Sequence, residues 1–220
     1  MIEAVFFDLD GTLADTAADL GGALNRLRAE EGLEKIPLAV LRPHTSHGVR
    51  GMLGVGLGIL PGHERYAELA QRFLDHYGNA VCAGTVLFPG MDSLLQGLEE
   101  RGIPWGVVTN KTSRFTLPLL TALGVTERAA CIVSGDSAPR PKPHPDPLLL
   151  AAELARVSPP GCVYVGDDLR DVQAAHAAGM RAVVAAYGYL GEGTRIEEWG
   201  GDHLIDRADE LLGLLDRLAC

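Results

Sequence analysis

The sequence predicts an α/β protein: a parallel sheet covered by helices on both faces, with a small helical cap inserted after the first strand. Three observations carry that expectation. A wholly apolar run, Val5-Phe6-Phe7, opens the chain and delivers Asp8 and Asp10 onto a Gly11-Thr12 turn. From Phe88 onward, short apolar strands alternate with helical stretches, as in successive βα units. Between the two, the sequence is mainly helical in pattern. The expected division is therefore a core of residues 1–15 and 85–220 and a cap of residues 16–84.

Taken in order, Val5-Phe6-Phe7 is apolar on both faces, as a strand buried in a parallel sheet must be. Alternation points Asp8 and Asp10 the same way at its carboxyl end, where open α/β sheets bind ligands. Thr16-Ala17-Ala18-Asp19 reads as a helix start of the capping-box kind; Leu20, Leu24 and Leu27 follow at helical spacing, and Gly32 ends the run. Residues 43–50 are polar and turn-prone, while 51–62, rich in glycine and leucine, decide for no element. A second cap helix is expected over 64–77, with Tyr66, Leu69, Ala70, Phe73 and Tyr77 on its apolar face. Core strands are expected at 103–109, 131–134, 162–166 and 183–186, and helices at 115–123, 147–157 and 171–178. Asp146-Pro147 opens the second of these helices and Gly179 closes the third. Residues 203–205 form a short edge candidate before a last helix at 208–218.

Composition removes several function classes. The chain has 220 residues, 47% of them hydrophobic, enough for one large domain or one domain with a smaller insertion. A net charge of −10 without any basic stripe argues against nucleic acid as partner. Such an acidic protein still binds an anionic substrate if the site supplies its own metal and lysine. No run of about 18 apolar residues is present, so no membrane span is expected. The first residues lack the basic region and cleavage pattern of a signal peptide. Cys82, Cys131, Cys162 and Cys220 show no paired spacing, which fits buried thiols in a reducing cytoplasm. The seven histidines show no zinc-ligand spacing. Monomer and homodimer both remain open.

Two carboxylates as close as Asp8 and Asp10 repel, and in a dry site each is driven towards protonation. A divalent cation relieves this, and hard oxygen ligands select Mg²⁺. Taken alone the pair also suits a solvated turn or a calcium loop. Three further polar segments follow strands, however: Thr109-Asn110, Lys142 in Lys142-Pro143-His144-Pro145, and Gly166-Asp167-Asp168-Leu169-Arg170-Asp171. A parallel sheet gathers such segments at one edge. The combination reads as a metal-assisted phosphoryl-transfer site.

With these four motifs in this order, the chain resembles the haloacid dehalogenase (HAD) superfamily of phosphatases. Within that superfamily it is similar both to phosphoglycolate phosphatases and to bacterial N-acetylmuramic acid 6-phosphate phosphatases. The second similarity lies in residues 105–111, Arg114-Phe115, residues 166–171, Tyr187-Gly188-Tyr189 and Trp199-Gly200. The resemblance implies a Rossmann-like core and hydrolysis through an aspartyl phosphate. It makes Asp8 the nucleophile and Asp10 the acid that protonates the leaving alcohol and then deprotonates water. It makes Thr109 a donor to the phosphoryl oxygens and Lys142 the cation that offsets their charge. Mg²⁺ would be held by Asp8, Asp10 (through its backbone carbonyl) and Asp167, with Asp168 and Asp171 behind them and Asp171 beside Lys142.

Substrate contacts are expected from Asn110 and from Ser46, His47 and Arg50 in the cap; the planar fork of Arg50 suits a carboxylate. On that expectation, replacing Arg50 by Ala raises KM for a carboxylated substrate. The expected substrate is a small phosphorylated metabolite, first 2-phosphoglycolate and then N-acetylmuramic acid 6-phosphate. A sugar phosphomutase shares the same motifs. A phospho-acceptor receiver module fits less well, because its phosphorylated aspartate follows a middle strand and Asp8 follows the first. Dehalogenation needs neither the acid at Asp10 nor the metal ligand at Asp167.

Overall fold

The structure is a computed structural model describing residues 2–191, 193 and 195–219. In chain order, β1 (Ala4–Phe7) and the short β2 (Ala14–Asp15) lead into four helices, α1 (Ala17–Glu30), α2 (Leu38–Leu41), α3 (Gly48–Leu57) and α4 (Tyr66–Gly78). A 3₁₀ turn, Arg42–His47, joins α2 to α3. The chain returns through β3 (Val86–Leu87) and α5 (Met91–Glu100), then alternates: β4 (Trp105–Val108), α6 (Ser113–Ala122), β5 (Cys131–Val133), α7 (Asp146–Ala155), β6 (Cys162–Gly166) and α8 (Leu169–Ala177). It ends with β7 (Arg181–Ala185), β8 (His203–Ile205) and α9 (Glu210–Ala219).

Six strands form one parallel sheet of order β5-β4-β1-β6-β7-β8. β1 is central, with Val5 flanked by Trp105 and Val163. Its unbroken apolarity has a direct cause. Val5 and Phe7 pack with residues of α5, α6 and α9 on one face, whereas Ala4 and Phe6 pack with residues of α7 and α8 on the other. The helices between β2 and β3 keep a separate core that includes Leu24, Leu27, Met52, Phe73 and Tyr77 and is joined by Phe115 of α6. Among the described residues, no helix is long and apolar enough to cross a membrane.

The two crossing segments pair antiparallel, Ala14 with Leu87 and Asp15 with Val86. Here one local expectation fails. Thr16 and Asp19 form no capping box: Thr16 has no side-chain capping bond, and its hydroxyl donates to Asp10 Oδ1 at 2.6 Å. Asp19 instead accepts from the Gly84 and Thr85 N–H groups and from the Thr85 hydroxyl, at 2.8, 2.9 and 2.6 Å. Three donors outweigh one helix N–H, so Asp19 ties the start of α1 to the returning chain. The Tyr189 hydroxyl takes the N–H groups of Thr16 and Ala17 that the missing cap leaves over.

Other differences are shifts of boundary or missing elements. The undecided stretch 51–62 holds most of α3, and α4 begins two residues later than the spacing suggests. Helix α5 is an additional element that the expected division lacks, although Met91, Leu94, Leu95 and Leu98 have helical spacing and are all buried. β4 starts at Trp105, just after Pro104, which has no N–H to give a ladder. Cys131 and Cys162 are buried thiols and Cys82 is half-buried; Cys220 lies outside the described residues.

Candidate active site

A cavity of about 300 Å³ opens at the carboxyl ends of β1, β4 and β6. Asp8, Asp10, Thr109 and Lys142 line it from the sheet side, and Ser46 and Tyr77 line it from the helices opposite. β1 ends at Phe7, so Asp8 is the first residue beyond it, held by its N–H to the Val165 carbonyl at 2.9 Å. Asp8, Asp10, Thr109, Asn110, Lys142, Asp168, Asp171, Ser46 and His47 all reach this one cavity.

Lys142 is the best-anchored group. Its ammonium contacts Asp8 Oδ1 at 2.9 Å and Asp171 Oδ1 at 2.7 Å, and donates to the Tyr164 hydroxyl at 2.7 Å and the Val108 carbonyl at 3.2 Å. Burial works against its charge, but Asp171 and Asp8 outweigh that and raise its pKa. The backbone at Lys142, which precedes a cis peptide bond to Pro143, is gripped by Asn110. The Asn110 amide donates to the Lys142 carbonyl at 3.0 Å and accepts from its N–H at 2.9 Å. Asn110, expected to touch substrate, thus uses its side chain to place Lys142.

Asp8, Asp167 and Asp171 each offer a carboxylate oxygen, and these three atoms lie within 4.8 Å of one another. Burial first, and then Asp8 and Asp171, holds the Asp167 carboxyl well above its ordinary range. Burial likewise raises Asp171, against the pull of Lys142. Thr12 and Ser46 hydroxyls donate to Asp167 at 2.9 and 3.0 Å, as does the Tyr189 N–H at 2.9 Å. Three buried carboxylates beside one lysine leave an excess of negative charge that a divalent cation offsets, and an all-oxygen donor set suits Mg²⁺. The residues therefore fit the ion that the resemblance implies. Asp171 also orders the chain around it. Its Oδ2 accepts from the Asp168 N–H, and Asp168 caps α8 in a capping box.

The carboxylate of Asp10 is not part of that cluster. Lys111 donates to both its oxygens, at 2.9 and 3.0 Å, beside the Thr16 bond. Lys111 was not among the expected site residues, yet it lines the cavity; the signal was its charge directly after Thr109-Asn110. Burial opposes that charge, but the Asp10 carboxylate outweighs it and raises the Lys111 pKa. Thr109 is buried and accepts from the Lys111 N–H at 3.1 Å, which leaves its hydroxyl proton to give. Tyr164 was also missed; a tyrosine inside an otherwise aliphatic strand was the available clue.

From the helical side, Ser46 reaches Asp167, and its carbonyl accepts from Arg170 at 2.9 Å. His47 Nε2 stands 3.7 Å from Asp168. Burial keeps the His47 imidazole below its usual pKa, against the attraction of Asp168. Arg50 is a different matter: it is exposed and lines a second, wider cavity with Gly51, Gly54 and Trp199, which adjoins the first at His47, Asp168 and Arg170 but is not lined by Asp8. His47, just before α3, borders both cavities, whereas Arg50 borders the second. Arg170 pairs with Asp168, and Arg140 pairs with Asp146 on the surface.

This chain belongs to the haloacid dehalogenase-like hydrolases, whose family profile matches residues 5–185. It is 44% identical over 209 residues to a phosphoglycolate phosphatase of Xanthomonas campestris pv. campestris, covering 94% of each chain. It is 36% identical over 219 residues to an N-acetylmuramic acid 6-phosphate phosphatase of Pseudomonas aeruginosa, covering 100% of this chain and 97% of the relative. The crystal structure of a predicted phosphoglycolate phosphatase from Haemophilus somnus superposes with a TM-score of 0.85 at 26% identity, over 97% of this chain and 98% of that one. Within its family the chain is a phosphatase.

Proposed function

We propose that this phosphatase is a Mg²⁺-dependent phosphomonoester hydrolase that acts through an aspartyl phosphate on Asp8, with 2-phosphoglycolate as its substrate. The observation that carries the reading is the position of Asp8: first residue beyond the central strand, paired to Lys142, beside Asp167 and Asp171. Asp8 attacks phosphorus while Asp10 gives its proton to the departing alcohol; Asp10 then takes a proton from the water that cleaves the phosphoenzyme. Lys142 and the Thr109 hydroxyl stabilise charge gathering on the phosphoryl oxygens. Held by Asp8, Asp167 and the Asp10 carbonyl, with Asp171 alongside, the Mg²⁺ would neutralise Asp8 and the phosphoryl group together. Residues 16–84 act as a cap on the core of 1–15 and 85–220, with Ser46 and His47 closing the cavity and keeping bulk water from the phosphoenzyme.

N-acetylmuramic acid 6-phosphate is the second reading, favoured by the apolar wall of Leu20, Phe73, Leu74 and Phe115 in the same cavity, which suits the body of a larger leaving group. The test is phosphate release from each compound with Mg²⁺. Preferred release from 2-phosphoglycolate, lost in Asp8→Asn, supports the first reading; preference for the sugar phosphate transfers the assignment. Release that survives Asp8→Asn removes the aspartyl phosphate.

A further inference from the structure

Tyr77 stands out among the residues around the cavity because its buried hydroxyl finds no acceptor for its proton. It closes the buried face of α4 after Leu69 and Phe73, is 1% exposed, and tilts against Phe115 with ring centroids 5.2 Å apart. Among the described residues, its hydroxyl is the one fully buried side-chain polar atom without a hydrogen-bond partner. Buried hydroxyls are nearly always partnered, so a lone one bordering a cavity marks the place of an absent ligand atom. Burial pushes the phenol up to about 12, so the group is a neutral O–H near neutral pH.

Beside it sits Lys111, whose ammonium lies 4.8 Å from the Tyr77 ring centroid. An ammonium carries three N–H groups, and Asp10 takes two of these. The hydroxyl of Tyr77 and the remaining N–H of Lys111 make a polar pair in a part of the cavity otherwise walled by Leu20, Phe73 and Phe115. Lys111 contacts Asp10, the residue proposed to give its proton to the departing alcohol.

We infer that Tyr77 and Lys111 form a leaving-group subsite that binds an oxygen acceptor carried by the departing alcohol. This deepens the proposed function and rests on it. The subsite selects phosphomonoesters whose alcohol bears a carboxylate, carbonyl or hydroxyl oxygen over esters of purely hydrocarbon alcohols, because only the former satisfy both donors. This work falls to these residues and not to Arg50, which faces the other cavity.

The test compares wild type and Tyr77→Phe on phenyl phosphate and on whichever of 2-phosphoglycolate and N-acetylmuramic acid 6-phosphate the wild type cleaves faster. Phenylalanine keeps the packing against Phe115 and removes only the lone hydroxyl. The ratio of kcat/KM for the acceptor-bearing ester to that for phenyl phosphate should fall about fivefold to tenfold, mainly through KM. Lys111→Met should lower the same ratio in the same direction. Equal losses on both esters, or no loss on either, overturn the subsite while leaving the phosphatase reading intact. Wild type that releases phosphate from none of the esters overturns both.

Discussion

The Tyr164 hydroxyl accepts from the Lys142 ammonium at 2.7 Å and donates to the Val108 carbonyl at 2.7 Å, so a side chain of β6 sets the lysine against Asp8 by way of β4. Tyr164 lies beneath the site and positions Lys142 without lining the cavity. Tyr164→Phe removes one of the four acceptors around the Lys142 ammonium and the phenol donor to the Val108 carbonyl, at a cost of roughly 1–2 kcal/mol in stability. Because Lys142 then drifts from Asp8, kcat should fall about tenfold with a much smaller change in KM. Steady-state kinetics and a thermal melt check both; a change confined to KM contradicts the positioning role.

Arg50 gives an expectation opposite to the one its chemistry suggests. A fork-shaped cation in a cap loop suits a carboxylate, yet here it lines the second cavity. Arg50→Ala should change kcat/KM for 2-phosphoglycolate by less than about twofold, as exposed side chains away from a site generally do. A KM rise specific to carboxylated substrates would return Arg50 to the catalytic cavity.

Chelation should abolish phosphate release, and Mg²⁺ should restore it. Binding also has a readout independent of turnover. With Mg²⁺ at about 100 times its Kd, stability rises by about 2.7 kcal/mol, which for a chain of this size raises Tm by roughly 5–10 °C. Asp167→Asn should shrink that shift, because it removes one of the three clustered carboxylates. An undiminished shift would place the ion elsewhere.

The buried thiols predict an alkaline limit. Burial pushes Cys131 up to about 12 and Cys162 up to about 11, from an ordinary value of 9.0. The folded chain therefore holds these protons more tightly than the unfolded chain. The stability they contribute is complete below pH 9 and is lost as pH rises from there towards 11–12, at no more than about 1.4 kcal/mol per pH unit for each thiol. Denaturant melts at pH 8 and pH 10, with wild type and Cys131→Ala compared, measure this; the variant should show the shallower decline.

The central strand, the strand-end placement of Asp8 and Asp167, and the helices between β1 and β3 were legible in the sequence. Each leaves a periodic or local signature: a wholly apolar run before an acid, a regular alternation, a break in that alternation. Helix α5 carries the same kind of signature in Met91, Leu94, Leu95 and Leu98. Lys142 was expected directly after a strand but sits in the loop between β5, which ends at Val133, and α7.

The class of chemistry is written in the linear chain, because Asp8, Thr109 and Asp167 follow strands whose hydrophobic pattern is plain. Tertiary structure alone decided how those side chains divide their bonds. Asp10 turns to Lys111, Asn110 grips Lys142, Asp19 leaves its helix for Gly84 and Thr85, and Tyr77 keeps an unpaired hydroxyl at the cavity. Each of these outcomes is a competition among donors and acceptors far apart in the chain. No local pattern records which of them burial will bring within about 3 Å of one another.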